Sequence, residues 1–378
     1  MLETVAGPAE LGARVAQARD EAGLTQGALA AELGIDRTSL VRIESGERKV
    51  SASELATIAQ IVDRPIDWFV VLSPPIVVSR RSSGDVQPFM SGSYKLGRAV
   101  ERRVGDVDFL IDKHIIECKV RKPVATPRTH AEAERLAAQI RRRCKVGDEP
   151  LIGLNDVAEQ LGVYAFVLDL PGASDGACVE RIGPKDCRAG VVVINGAMDP
   201  GRRRWTLAHE LAHFITGDAY DVTNHPTGQI ERFLDSFVAY FLMPRSGVLR
   251  IWNEAHNAPD GPRRVALTVA ARYRTSWSAA CNQLANLELI TRAAAEGLRR
   301  AEPTRGDYVV LGETWTEELM APLVPTGYAR SVLAAYSGGR LTPERTVELL
   351  AGSLTVDDLP ARPAATWDEL RAAFDPTQ

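Results

Sequence analysis

The stretch Trp205-Thr-Leu-Ala-His-Glu-Leu-Ala-His-Phe214 constrains this chain more than any other. It sets His-Glu-x-x-His in a run whose apolar residues Leu207, Leu211, Phe214 and Ile215 recur at helical spacing, before a helix stop at Gly217. At about 100° per residue, His209 and His213 share one face of a helix, one turn apart. Two imidazoles so placed take one metal ion. Glu210 lies round the helix beside the open coordination position, where a general base is needed. The pattern suits a metal-hydrolase centre, because a purely structural site needs ligands but no base.

A third ligand is expected from a neighbouring helix. Between Gln229 and Pro244, Ile230, Phe233, Leu234, Phe237, Val238, Phe241 and Leu242 fall at helical spacing, and Pro244 stands where the helix should end. A helix this apolar must be largely buried, yet Glu231 and Asp235 stand four apart on one face. Like charges at that spacing repel, and burying them unpaired is costly. A metal ion resolves the conflict: Glu231 becomes the third ligand, and Asp235 receives the ring N–H of a ligand histidine. The expected cofactor is Zn²⁺, with Mn²⁺ or Fe²⁺ also compatible with two histidines and a carboxylate. Tyr240, nine residues past Glu231, is half a turn out of phase and points away from the metal.

With 378 residues, 45% hydrophobic and 25% charged, the chain has room for two or three domains of ordinary globular composition. A net charge of −4 excludes a nucleic-acid-coating protein while leaving room for a local basic face. No apolar run approaches the roughly 20 residues that span a bilayer, so no membrane partner is expected. The five cysteines are odd in number and lack C-x-x-C spacing, which points to reduced thiols and a cytoplasmic location.

The first 73 residues read as a domain of five short helices. Thr25, Asp36 and Ser51 stand as N-caps, Gly34 sits at a turn, and Pro65 opens the last helix toward Trp68 and Val71. Leu24-Thr-Gln-Gly-Ala-Leu-Ala-Ala-Glu-Leu-Gly-Ile-Asp-Arg-Thr-Ser-Leu-Val-Arg-Ile-Glu-Ser-Gly46 resembles the phage lambda repressor/Cro (XRE-type) helix-turn-helix, with both the turn Gly34 and the Ile43-Glu44-x-Gly46 ending. The resemblance implies that Arg37, Thr38 and Arg42 face the major groove of a double-stranded operator and that Gln26 meets a backbone phosphate. Arg48 and Lys49 suit phosphates as well. It also implies a homodimer on paired half-sites.

Residues 74–149 read as a linker and helical connector. Pro74-Pro75 break the chain, Ser79–Gly84 are polar, and helices are expected near 95–113 and 130–145. The basic run Arg141–Lys145 is expected on a solvated face. From residue 150 the texture changes to a helix over Gly153–Gly162 and strands at Val163–Leu170, Gly176–Ile182 and Gly190–Asn195, ahead of the metal helix. This is the small α+β, zincin-like frame of many zinc peptidases. Val191–Ile194 is the expected edge strand for an extended peptide.

The strand after Leu161-Gly162, Ala208-His-Glu-Leu-Ala-His213 and Glu231-x-x-x-Asp235-x-Phe237-x-Ala239-x-x-Leu242-Met-Pro244 together resemble the ImmA/IrrE metallopeptidases over residues 150–300. Phe233-Leu234 and Asp235 depart from that family's usual residues, but Asp235 keeps the same chemistry. Residues 265–286 look like the family's helical continuation, packed on the peptidase. Residues 301–378 read as an extension of unknown role, with a strand at Tyr308–Leu311 and helices near 327–336 and 343–351. The fold expected is thus multidomain and mainly α. The resemblance implies a selective endopeptidase that cuts a transcriptional repressor, or itself, in a stress or mobile-element response. The rival reading is a non-proteolytic regulator or antitoxin-like protein whose metal domain is structural or sensory.

Overall fold

The computed structural model describes residues 7–62, 64, 66–70, 78–81, 91–170, 175–182, 187–217, 228–313 and 317–362. Five helices open the chain: α1 (Pro8–Glu21), α2 (Gln26–Leu33), α3 (Arg37–Glu44), α4 (Ala52–Ile61) and α5 (Ile66–Val70). Thr25, Asp36 and Ser51 accept hydrogen bonds from the backbone N–H groups of Ala28, Ser39 and Glu54, satisfying donors that a helix start leaves open. Val15, Leu29, Leu40, Ile43, Ile58 and Phe69 close a core of their own. Pro65, Val71, Pro74 and Pro75 lie outside the described residues.

The expected linker is in part a strand. Val78–Arg81 form β1, which takes in Ser79, Arg80 and Arg81 of the polar run; Ser82–Gly84 lie outside the described residues. A strand held at a sheet margin needs only a partner for its backbone, so a polar composition did not reveal it. The chain continues through α6 (Ser91–Asp112), α7 (His130–Arg143), α8 (Leu154–Leu161), β2 (Val163–Leu168), β3 (Gly176–Ile182) and β4 (Arg188–Asn195). Then come α9 (Pro200–Thr216), α10 (Gly228–Leu242), α11 (Arg245–Ala255), α12 (Gly261–Tyr273) and α13 (Trp277–Asn286). The last helices are α14 (Arg292–Arg300), α15 (Arg305–Val310), α16 (Thr326–Ser337) and α17 (Pro343–Leu349), followed by a 3₁₀ turn at Val356–Asp358.

The sheet has the order β1-β3-β4-β2. β4 is parallel to β2 and antiparallel to β3, and β3 is antiparallel to β1. Val191–Ile194 therefore cannot be an edge strand, because β4 is paired on both sides. Its unbroken apolar run, buried at every position, already matches a central strand better than a margin.

Both faces of the sheet are covered. Ala165, Val167, Cys178, Val192 and Ile194 pack into one core with residues of α7–α13. Phe166, Ala177, Val179, Val191 and Val193 pack into a second with Leu96, Val100 and Val107 of α6 and Tyr328 and Val332 of α16. The first core runs from Ala133 to Leu319 and the second from Leu96 to Leu350, so neither breaks at residue 150 or 300. The segments read as connector and extension supply one outer layer of the sheet.

Three further expectations are corrected. Tyr308–Val310 are helical: a capping box pairs Thr304 with Asp307 and starts α15, and Val309 and Val310 face solvent. Arg141 is buried rather than solvated. Its guanidinium donates to the carbonyls of Gly147, Glu149 and Phe241, tying α7 to the C-terminal end of α10. Cys118 and Cys187 are joined in a disulfide, a pairing across 69 residues that no local spacing could reveal.

Candidate metal centre

Helix α9 begins at Asp199, whose carboxylate accepts from the backbone N–H groups of Gly201 and Arg202, with Pro200 preset for the first turn. It stops at Gly217, held left-handed at φ 70. Leu207, Leu211 and Phe214 are buried in the sheet core, as the spacing requires. The remaining face carries His209, Glu210 and His213, which are 3%, 0% and 2% exposed.

Helix α10 crosses beside it. Leu234, Phe237, Val238 and Phe241 bury one face, with the Phe237 and Phe241 rings stacked 5.4 Å apart. Helix α7 supports the far side, where the His130 ring nitrogen Nδ1 lies 2.6 Å from Ser236 Oγ. Met243 ends α10 under two clamps. Its carbonyl accepts from Gln283 Nε2 at 2.9 Å, and its sulfur lies 3.4 Å from Thr275 Oγ1. Helix α13 and the turn that precedes it thus fix the end of the helix that carries Glu231.

Among the described residues, His209, His213 and Glu231 gather as a group able to hold one metal ion. The two Nε2 atoms are 3.1 Å apart, His209 Nε2 is 3.2 Å from Glu231 Oε2, and His213 Nε2 is 3.5 Å from Glu231 Oε1. Ligand atoms bonded to a tetrahedral zinc ion at about 2.0–2.1 Å stand about 3.3 Å from one another, close to these separations, in which each histidine meets a different oxygen of Glu231. The opposite ring nitrogen of His209, Nδ1, lies 3.2 Å from Asp235 Oδ1. A proton held there leaves Nε2 with its lone pair toward the shared centre. With the proton on Nε2 instead, the hydrogen bond from His209 holds the Glu231 carboxyl below its usual range, which favours the anionic form that a metal ligand needs. The donor set fits Zn²⁺, and Glu210 lies one residue round the helix from His209, off the three-cornered face.

The N-terminal residues separate into two groups. Leu40 and Ile43 turn the inner face of α3 into the core, and Arg37, Thr38 and Arg42 stand exposed on its outer face, as does Lys49 beyond it. Gln26 and Arg48 are engaged within the fold. Gln26 donates to Glu44 at 2.8 Å, with Arg37 Nη2 3.4 Å from its Oε1, and Arg48 donates to Glu54 at 2.6 Å. Acidic neighbours in space, which the sequence order did not disclose, account for this.

Residues 158–285 match the family model of the IrrE N-terminal-like domain of the M78 peptidases, and residues 15–69 match a helix-turn-helix model. The chain joins these two domain types. The IrrE-type region takes in β2–β4, the metal helix and α10–α13, so each residue of the donor set falls inside the match. No curated protein matches the chain. Among solved structures, a Mycobacterium tuberculosis transcriptional regulator is 16% identical over 49% of this chain and 51% of that chain, with a TM-score of 0.30. Bacillus thuringiensis PlcR, in complex with the peptide PapR7 and DNA, is 13% identical over 80% of this chain and 96% of that one, with a TM-score of 0.17. The chain thus spans about half the length of the first of these structures, and similarity at this level fixes neither fold nor function.

Two supporting side chains of this region were not anticipated from the sequence. Arg204, 1% exposed, pairs with Glu318 and donates to the Leu151 carbonyl at 2.8 Å. Arg188 pairs with Glu180 and donates to the Phe214 carbonyl at 2.9 Å near the end of α9. Most of their partners lie far off in sequence, so only burial after folding identifies them. Among the described residues, no helix is long and apolar enough to cross a membrane.

Proposed function

We propose that this chain is a DNA-binding, zinc-dependent endopeptidase that cleaves a transcriptional repressor, or itself, as a regulatory step. The reading rests on one observation above the others: His209, His213 and Glu231 converge at ligand spacing while Glu210, which no ligand role requires, sits buried beside them. Zinc bound there would supply Lewis acidity for the scissile carbonyl and for water. Glu210 takes the proton of the attacking water and returns it to the leaving amide nitrogen. Asp235 orients His209 through Nδ1. The exposed Arg37, Thr38 and Arg42 suit base edges in a major groove, and Lys49 suits a phosphate, which supports an operator as partner; the form proposed to bind paired half-sites is a homodimer.

The deciding experiment compares new protein N-termini in cells expressing the parent chain and Glu210→Gln, with and without DNA damage. One or a few cleavages that require Glu210 would support the peptidase and name its substrate. Identical N-termini under every condition, with operator binding retained, would favour a regulator whose metal domain acts without cleavage. Metal analysis of protein purified without added metal would decide between Zn²⁺, Mn²⁺ and Fe²⁺.

A further inference from the structure

The packing of α9 shows which margin of the sheet serves the metal stripe. A Cβ on Gly176, at the start of β3, would come within 2.6 Å of Thr206 Cγ2. Thr206 precedes Glu210 by four residues and His213 by seven, so the three share one stripe of the helix. A Cβ on Gly190, in β4, would instead meet the Phe214 ring and Val163 Cγ2 at 3.0 Å, on the side of α9 turned to the core. The metal stripe therefore runs along β3. In the hairpin Gly176 pairs with Ile194 and Glu180 with Gly190, so Cys178 lies midway between the Thr206 level and the Phe214 level of α9, at the height of Glu210.

That margin is already taken. Val78–Arg81 lie antiparallel on β3 with Val78 opposite Val179, Ser79 opposite Cys178, Arg80 opposite Ala177 and Arg81 opposite Gly176. The segment leading from the helix-turn-helix domain thus passes along the sheet edge in extended form, level with the general base. The opposite margin is held at one point, where Val167 of β2 and Leu323 exchange both backbone hydrogen bonds at 2.9 Å. An extended chain on a sheet edge is the arrangement by which a peptide is held through main-chain hydrogen bonds, with little demand on its sequence.

We infer that the outer edge of β3 is the extended-peptide site of this domain, and that its resident occupant is the chain's own interdomain segment Val78–Arg81, which any other peptide must displace. The inference rests on the peptidase reading for calling that peptide a substrate; the competition itself needs no cleavage. An occupied edge lowers apparent affinity for a second peptide by the fraction of time the edge is free.

The test uses the full chain carrying Glu210→Gln, so that no cleavage intervenes, and a fluorescent peptide of residues 76–84 added in trans. Ser79→Pro with Arg80→Pro removes adjacent backbone N–H groups, one of each hydrogen-bonding parity. The proline variant is expected to bind the peptide about tenfold or more tightly than its parent, with unchanged circular dichroism. Equal affinity for both proteins, or none for either, would overturn the inference. If the proline variant misfolds, hydrogen exchange on the unsubstituted chain decides: protected amides at 78–81 support the pairing, and exchange at the rate of unstructured chain refutes it. Failure of the peptidase reading would appear as a parent protein that produces no Glu210-dependent cleavage, which leaves these binding outcomes unchanged.

Discussion

Asp235 meets His209 at 3.2 Å from Nδ1, and that contact sets which ring nitrogen faces the shared centre. Asp235→Ala is expected to weaken zinc binding by roughly 10–100-fold, measured by competition with a chelating dye, while Asp235→Asn, which keeps an accepting oxygen, stays nearer the parent. Glu210→Gln should leave zinc affinity within about a factor of three of the parent while abolishing Glu210-dependent proteolysis, since a base removed from beside a site is not a ligand removed from it. Loss of zinc in Glu210→Gln would mean that Glu210 coordinates the ion. Among the described residues, His209, His213 and Glu231 are the group at metal-ligand spacing, and burial pushes the Cys281 thiol up to about 11 and raises that of Cys144.

At the level of elements, the helix-turn-helix is held by close approach and by caps. Gly46 sits at φ 77 with the Ala9 backbone where a Cβ would go, so Gly46→Ala combines backbone strain with a clash. It is expected to lower the domain's stability by roughly 1–3 kcal/mol in thermal unfolding. Helix α4 starts in a capping box, with Ser51 accepting from the Glu54 N–H and Glu54 accepting from the Ser51 N–H at 2.9 Å. Chiefly this backbone hydrogen bond, with Arg48 adding to it, holds the Glu54 carboxyl below its usual range. A lowered folded value means that the cap's contribution is full above the unfolded value and is lost as pH falls through the folded one. In the parent, stability should therefore fall with acid across that window, and Glu54→Gln should flatten this part of the profile; an unchanged slope would dismiss the cap as its source.

For the whole molecule, the segment from Glu318 through α16 packs as part of the metal domain's architecture. Glu318 pairs with Arg204 and Arg274 and accepts from the Gly153 N–H at 3.1 Å, joining the segment before α16 to α9, α12 and the start of α8. Glu318→Ala leaves a guanidinium that is 1% exposed without its carboxylate and is expected to cost about 3–5 kcal/mol in urea unfolding. A cost under about 1 kcal/mol would show that the Leu151 carbonyl alone suffices for Arg204. By the same geometry, a chain cut after residue 300 is unsuited to an activity test, because the cut strips Tyr328 and Val332 from the outer face of the sheet.

What the sequence by itself determined was local. Helical period, N-caps at Thr25, Asp36 and Ser51, the stop at Gly217, and the shared helix face of His209 with His213 and of Glu231 with Asp235 all follow from neighbours within a few turns, whereas the meeting of those two faces is tertiary. Strands β2, β3 and β4 were legible for the same reason, because alternation and apolar runs are written into each of them alone. Strand order, by contrast, was decided in the tertiary structure. It made Val191–Ile194 central, drew Val78–Arg81 out of an apparent linker onto β3, and joined Cys118 to Cys187. Burial decided as much among the charges, sinking Arg141 and Arg204 against distant carbonyls and engaging Gln26 and Arg48 with Glu44 and Glu54. Pairing across a sheet and desolvation of a charge depend on which residues folding brings together, from a few to more than a hundred positions away, and no local period carries that information.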